Sequence, residues 1–313
     1  MSVPRVFGHL ELAIEVANGS ARARLRPLAV TRLIEERAVG LDPERLVRLV
    51  SRICGVCSIA HQLAAIEAVE AVARFEPSES VDALRGAALR IHAIQNAALF
   101  LALVAFEELT SFVSRPREAR KKLLEINNLC CRALQLLAGG AVHPVKIAIG
   151  GFRDLSQHRI KLAREAVASV EKVSAELAEE LLLPSNSFRF RATPLRVPNF
   201  ISRKSIEAWR TSSWVELELS HELVEKVLEI EPPPFTGARA RSIGASAPLV
   251  AAENPWYSIP TRLAEIPKLA REAVELLDAC TTRLSIERVR IDSGAGVAAV
   301  EAPRGVLIHA YEF

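Results

Sequence analysis

Soft metal-ligand chemistry is concentrated in one stretch of this sequence, Arg52-Ile53-Cys54-Gly55-Val56-Cys57-Ser58-Ile59-Ala60-His61. Cys54 and Cys57 stand three residues apart, so at or just before a helix start both sulfurs can face one point. The orphan N–H groups of such a terminus favour thiolate over thiol. A metal or redox site is the chemistry this implies. His61 follows Cys57 by about one helical turn and brings a nitrogen donor to the same neighbourhood. Two ordinary readings fit poorly. A closed zinc site needs about four ligands, yet the remaining cysteines are Cys130, Cys131 and Cys280, with no second CxxC. A thioredoxin-like dithiol follows a strand, whereas a helix is expected before Cys54.

The elements that must hold this stretch can be read on either side of it. Phe7 to Val16 alternates apolar and polar residues, Asn18-Gly19 supplies turn chemistry, and Ala21 to Val30 alternates again, giving an N-terminal β-hairpin over about residues 6–30. A short helix is expected over Arg32 to Val39. Asp42-Pro43-Glu44 then has the N-cap and N1 proline of a helix that reaches the cysteines. Beyond them the apolar, alanine-rich Gln62 to Phe75 continues, and long helices are predicted from Ser78 to about Phe112, from Pro116 to the breaker Gly139-Gly140, and from about Asp154 to Leu183. A glycine-flanked segment, Gly139 to Phe152, separates the last two. Residues 184–260 are mixed, with short strands near Trp214 to Leu219 and an irregular part from Pro232. A last helix over Ile259 to Leu284 and strands at Gly296 to Glu301 and Gly305 to Tyr311 close the chain. The fold class is mainly α with a small β portion, as one domain over residues 1–313.

Composition narrows the partners. Of the 313 residues 50% are hydrophobic, and the net charge is +3 with acidic and basic residues interleaved, which argues against nucleic acid. The longest apolar run, Ala97 to Phe106, is about half of the ~20 residues a bilayer requires, so no transmembrane segment is expected. The N-terminal residues lack the apolar run of a signal peptide, and five cysteines do not form a disulfide framework, so reduced thiols in the cytoplasm are expected.

With Arg52, Gly55 and His61 at these offsets, Arg52-Ile-Cys-Gly-Val-Cys-x-x-x-His61 resembles the first nickel-binding signature of the large (catalytic) subunit of [NiFe] hydrogenases. Further segments follow in family order: Gly8-His9, Arg32-x-x-Glu35, Gly-Gly-x-x-His143-Pro144 and Glu301-Ala302-Pro303-Arg304-Gly305-x-Leu307-x-His309. The resemblance implies a long-helix bundle of the large-subunit type and a Ni–Fe centre whose iron carries diatomic ligands, splitting H2 into hydride and proton. In this likeness Cys54 is similar to the terminal nickel thiolate and Cys57 to the bridging one. Arg304 is similar to the guanidinium over the open metal position, Glu35 to the acidic ligand of a nearby magnesium, and His61 and His143 to supporting donors beside the metals. An iron–sulfur small subunit is the implied partner.

The sequence also departs from that pattern. The family's second CxxC, in an Asp-Pro-Cys-x-x-Cys-x-x-His tail, does not occur in these 313 residues, and Cys280 has no partner cysteine at that spacing. The C-terminal third with the second CxxC is expected either on a separate polypeptide or to have been lost, and the isolated chain should neither hold a complete Ni–Fe centre nor oxidise H2. Phe7 stands where the family often has a proton-relay glutamate. Asn96-Ala97 and Val104-Ala105 replace its Ser-His and Pro-Asp, and Ala141 its arginine. These departures leave a second reading, a non-catalytic scaffold or electron-transfer subunit on the fold shared with the quinone-binding subunit of complex I.

Overall fold

A computed structural model describes residues 10–17, 20–27, 34–179, 182, 193–210, 213–226, 234–241, 257–280, 284 and 286–313. The chain divides into two compact units, Met1–Leu41 and Asp42–Phe313. In the first, β1 (Leu10–Ala17) pairs antiparallel with β2 (Ser20–Pro27), from Leu10 opposite Pro27 to Ala17 opposite Ser20. This is the hairpin expected from the alternation. The short helix α1 (Ile34–Ala38) follows. Phe7, Gly8-His9, Asn18-Gly19 and Arg32 lie outside the described residues.

The second unit opens with α2 (Pro43–Val50). Asp42 caps it by accepting a hydrogen bond from the Arg45 amide at 3.0 Å, and Pro43 sits at its first position, where a missing N–H costs nothing. Residues 51–57 turn the chain into α3 (Ser58–Val72), which starts directly after Cys57. Next come α4 (Glu79–Leu99), a π-turn at Phe100–Val104, α5 (Phe106–Leu109) and α6 (Pro116–Leu137). The continuous helix expected to Phe112 is thus broken at Ala105 (φ −105°, ψ 27°). A two-strand turn, β3 (Ile147–Ala148) and β4 (Gly151–Phe152), leads to α7 (Gln157–Ala178), which Ser156 caps.

The mixed region forms β5 (Thr193–Arg196), β6 (Ile201–Ser202), β7 (Ser205–Arg210), β8 (Ser213–Glu218), α8 (His221–Lys226), β9 (Pro234–Phe235) and α9 (Ala238–Arg241). The chain then runs through α10 (Ser258–Asp278), which continues past Pro267, to β10 (Ala295–Ala302) and β11 (Gly305–Glu312). Helices α4, α6, α7 and α10 form the bundle, α6 against both α4 and α7, and α10 against the same two. Strands β11, β10 and β6 make one antiparallel sheet, and β8, β7, β5 and β9 a mixed one in which β9 runs parallel to β5. The first of these sheets lies on α3. Gly296 permits that approach, because a Cβ there would sit 2.2 Å from the Ala68 carbonyl oxygen and 2.7 Å from the Val72 side chain.

Helix α3 is covered on nearly every side: Ile59, Ala60, Leu63, Ala64, Ala65, Ile66, Ala68 and Val69 are fully buried, and so is Glu70. The Arg85 guanidinium on α4, also fully buried, donates to Glu67 at 2.8 Å and to both carboxylate oxygens of Glu70 at 2.7 Å. Arg203 donates to Glu67 at 2.7 Å, to Glu70 at 2.6 Å and to the Phe75 carbonyl. Glu70 also accepts from the Gly150 amide at 2.8 Å, which ties the turn between β3 and β4 to the same point. The stretch Glu79–Val104 is long and apolar enough to cross a bilayer by length and composition. In this fold it is the central bundle helix, with Leu84, Leu89, Ile91, Ile94 and Leu101 fully buried.

Arg85→Met should destabilise the chain by about 3–5 kcal/mol, since it leaves two buried carboxylates facing Arg203 alone. Urea unfolding of the full chain checks this; a loss below about 1 kcal/mol would show the network to be dispensable.

Candidate metal centre

The turn from α2 into α3 presents both cysteines, half-buried, on one side of the α3 N-terminus. Three contacts hold the turn. On α4, Asn96 Nδ2 donates to the Val56 carbonyl at 3.2 Å, and fully buried His92, one helical turn away, bonds to the same carbonyl. His143, from the glycine-flanked segment, grips both ends of the turn. Its Nδ1 lies 3.1 Å from the Ser51 carbonyl oxygen, which makes Nδ1 the protonated nitrogen, and its amide donates to Ser58 Oγ at 3.1 Å. His143 pays for this reach with a positive φ of 51°.

The opposite wall comes from the end of the chain. Antiparallel pairing of β10 with β11 leaves Pro303 and Arg304 as a two-residue turn between Ala302 and Gly305. From it the Arg304 side chain reaches the cysteines, its Nη2 lying 3.5 Å from Cys54 Sγ and 3.7 Å from Cys57 Sγ. Below the turn, fully buried Glu301 accepts from the Val197 amide at 2.7 Å and from Arg241 at 2.5 Å, and Arg241 also pairs with Glu265. The hydroxyl of Thr236 touches the same turn, accepting from the Val306 amide at 3.2 Å and donating to the Arg304 carbonyl at 3.4 Å.

On the β11 side, His61 Nδ1 is 3.1 Å from His309 Nε2, and His309 Nδ1 is 2.6 Å from Tyr311 Oη. The His61 and His309 rings meet edge to face. Burial pushes the His309 imidazolium down to about 3, with the neighbouring His61 adding to it, so His309 is neutral at pH 7. His92 is lowered to about 4, mainly by burial.

The thiols differ sharply. Cys54 is pulled from the ordinary 9.0 to about 5, chiefly by a hydrogen bond from the Cys57 thiol, with Arg304 adding to it. Cys57, which keeps the shared proton, is pushed far up by that same bond and by burial. A soft thiolate, a second thiol and one cation therefore share a small space. Among the described residues no three His, Cys, Asp or Glu side chains come together as a complete ligand set. The donors present suit one half of a soft-metal site.

Comparison with known proteins accords with this geometry. Residues 32–110 match the family described as nickel-dependent hydrogenase. The chain is 25% identical to sulfhydrogenase 1 subunit alpha of Pyrococcus furiosus, over 98% of this chain and 82% of that one. It is also 25% identical to the coenzyme F420 hydrogenase subunit alpha of Methanothermobacter thermautotrophicus, over 97% and 80%. Over nearly its whole length the chain is similar to the alpha subunits of these hydrogenases. Solved structures share the fold. An NAD+-reducing [NiFe]-hydrogenase in the H2-reduced state superposes with a TM-score of 0.81 at 19% identity, covering 99% of this chain and 84% of that one. The Ni-Fe-Se hydrogenase of Desulfomicrobium baculatum gives 0.76 at 16%, covering 100% and 86%. The scaffold alternative raised by the sequence departures is not favoured by these relatives.

Of the residues singled out in sequence, the structure brings Cys54, Cys57 and Arg304 together and sets His61 and His143 around them. Glu35 lies exposed on α1 in the first unit. Sequence reading missed His92, Asn96, Arg241 and Thr236. The first two stand one helical turn apart on one face of α4, a pairing that only a known position for the cysteine turn makes meaningful.

In the metal-free full chain, iodoacetamide should alkylate Cys54 with a midpoint near pH 5, and Arg304→Met should move it upward by roughly 1 pH unit. Mass spectrometry of the labelled peptide reads this; a midpoint near 9 would contradict the shared proton. Because the His92 value is 6.5 unfolded and about 4 folded, the unfolded chain binds the extra proton. Stability from His92 is therefore complete above pH 6.5 and falls by roughly 3 kcal/mol as the pH drops towards 4. His92→Gln should flatten that limb in urea titrations run at several pH values.

Proposed function

We propose that this chain contributes Cys54 and Cys57 as thiolate ligands to the nickel–iron centre of a hydrogenase that converts H2 reversibly to protons and electrons. The observation that carries this is the convergence of Arg304 on both sulfurs, at 3.5 and 3.7 Å, from the far end of the chain. A guanidinium there favours thiolate at the sulfurs, the form that binds soft metals. It suits a reaction in which charge develops next to them. When bound, a Ni–Fe pair whose iron carries diatomic ligands supplies the heterolysis of H2. In this reading Cys54 and Cys57 would hold the centre through their sulfurs.

This chain's own residues then divide the work. Cys54 Sγ, already deprotonated near neutrality, is the atom able to take up a proton. Arg304 holds positive charge over the pair and orients the incoming molecule. His143 fixes the turn that carries both thiols through its bonds to Ser51 and Ser58. His61, backed by neutral His309, supports the sulfur side from α3. Glu35 is the proposed carboxylate ligand of a magnesium ion. The remaining soft donors come from a second CxxC outside these 313 residues, and electrons leave through an iron–sulfur small subunit.

The test uses the complex recovered with a tag on this chain, read by nickel analysis and H2-dependent dye reduction. Cys54→Ser and Cys57→Ser should each lose nickel and activity. Arg304→Lys should keep nickel while losing about 10²-fold in turnover. The 313-residue chain purified alone should hold substoichiometric nickel and show no turnover. A wild-type complex without nickel, or a Cys54→Ser complex with wild-type turnover, would sink the reading.

A further inference from the structure

We infer that Thr236 is the positioning residue for Arg304, holding the turn from which the guanidinium reaches the thiol pair; the inference rests on the hydrogenase reading above. Arg304 stands second in a two-residue turn, and its side chain is exposed. A long arginine side chain has many rotamers, so the backbone that starts it helps set its reach to the sulfurs. That backbone includes Gly305 at φ +129°, a conformation only glycine enters readily, so the turn does not fix itself.

Thr236 supplies what is missing. Its one hydroxyl accepts from the Val306 amide at 3.2 Å and donates to the Arg304 carbonyl at 3.4 Å, bracketing Gly305 from both sides. The fit is close: a Cβ on Gly305 would lie 1.5 Å from Thr236 Oγ1. The glycine thus makes room for the hydroxyl as well as for the turn. Thr236 itself is anchored on both sides. Before it, β9 pairs in parallel with β5, with Thr193 opposite Pro234 and Pro194 opposite Phe235. After it, α9 ends in Arg241, which pairs with Glu265 and with Glu301, three residues before Arg304. The segment Pro234–Arg241 therefore grips the Arg304 turn at two points, one ionic at its base and one through a single hydroxyl at its tip. The ionic contact fixes the strand; the hydroxyl fixes the residue that carries the guanidinium.

The test compares Thr236→Val, which keeps the shape and loses both hydrogen bonds, with Thr236→Ser, which keeps the hydroxyl. Hydrogen exchange of the Val306 amide in the full chain should speed up at least tenfold in Thr236→Val and less in Thr236→Ser. In the assembled complex, Thr236→Val should lower H2 turnover about tenfold with nickel content unchanged, and Thr236→Ser should recover most of that loss. In an Arg304→Lys background, Thr236→Val should cost far less than in wild type, because the group it positions has been replaced. Unchanged Val306 exchange, or Thr236→Val turnover equal to wild type, would overturn the inference, as would full additivity with Arg304→Lys. Loss of nickel in Thr236→Val would overturn it too, since the hydroxyl would then serve the metal ligands rather than Arg304. A wild-type complex without nickel and turnover would instead overturn the hydrogenase reading, and the exchange measurement would still decide whether Thr236 fixes the turn.

Discussion

Helix α3 can be seated in the molecule in one rotation only because two carboxylates on it, Glu67 and Glu70, face two guanidiniums. A helix with an apolar stripe finds its orientation by burying that stripe. Helix α3 has none, since its apolar residues run all round and nearly all are buried. Hydrophobic burial therefore favours placing it inside and says little about which way it faces. Arg85 and Arg203 decide that, with the Gly150 amide as a further donor to Glu70 and the Ile147 carbonyl accepting from Gln62 on the same helix. Two acidic and two basic groups balance, so the charges are paired where unpaired ones would be prohibitive. The rotation so fixed places Cys57 at the N-terminus of α3 and His61 in its first turn, which is how a structural network far from the thiols sets the thiol geometry.

The site is assembled from ends. A helix start, a hairpin turn and a glycine-flanked loop each contribute a piece, and each piece is a terminus whose backbone groups lack partners within its own element. Those groups are satisfied across the site: the Val56 carbonyl by His92 and Asn96, the Ser51 carbonyl by His143, and the Val306 amide by Thr236. The same contacts that satisfy the backbone therefore hold the functional groups in place.

Much of this was legible from residue order alone. Alternation revealed the β1–β2 hairpin, Asp42-Pro43 the start of α2, and the cysteine spacing a helix N-terminus with both sulfurs together. The terminal strands and the Pro303-Arg304 turn between them followed from their pattern. What stayed hidden had physical causes. Glu67, Glu70 and Arg85 gave no signal of their role, because a charge shows burial only through its partner, and Arg203 is far away in sequence. Strands β5 and β7 and helix α9 are too short to carry a period, and Thr236, in a proline-rich run, had no signal before its hydroxyl was seen against Val306.

Electrostatics explains why the cysteine turn and Arg304 tolerate one another without metal. Two thiols in a half-buried pocket would both stay protonated, since desolvation opposes charge on each. A lone guanidinium over two neutral thiols would gain little there. Sharing one proton resolves both costs: Cys57 keeps it and donates to Cys54, which becomes the anion that Arg304 faces. The trio is then neutral overall, with one negative and one positive charge in contact. Neutrality depends on all three groups, so the cysteine pair and the arginine form one electrostatic unit although roughly the whole second unit of the chain separates them in sequence. Thr236 and His143, which fix the two backbones carrying that unit, hold its charges at contact distance.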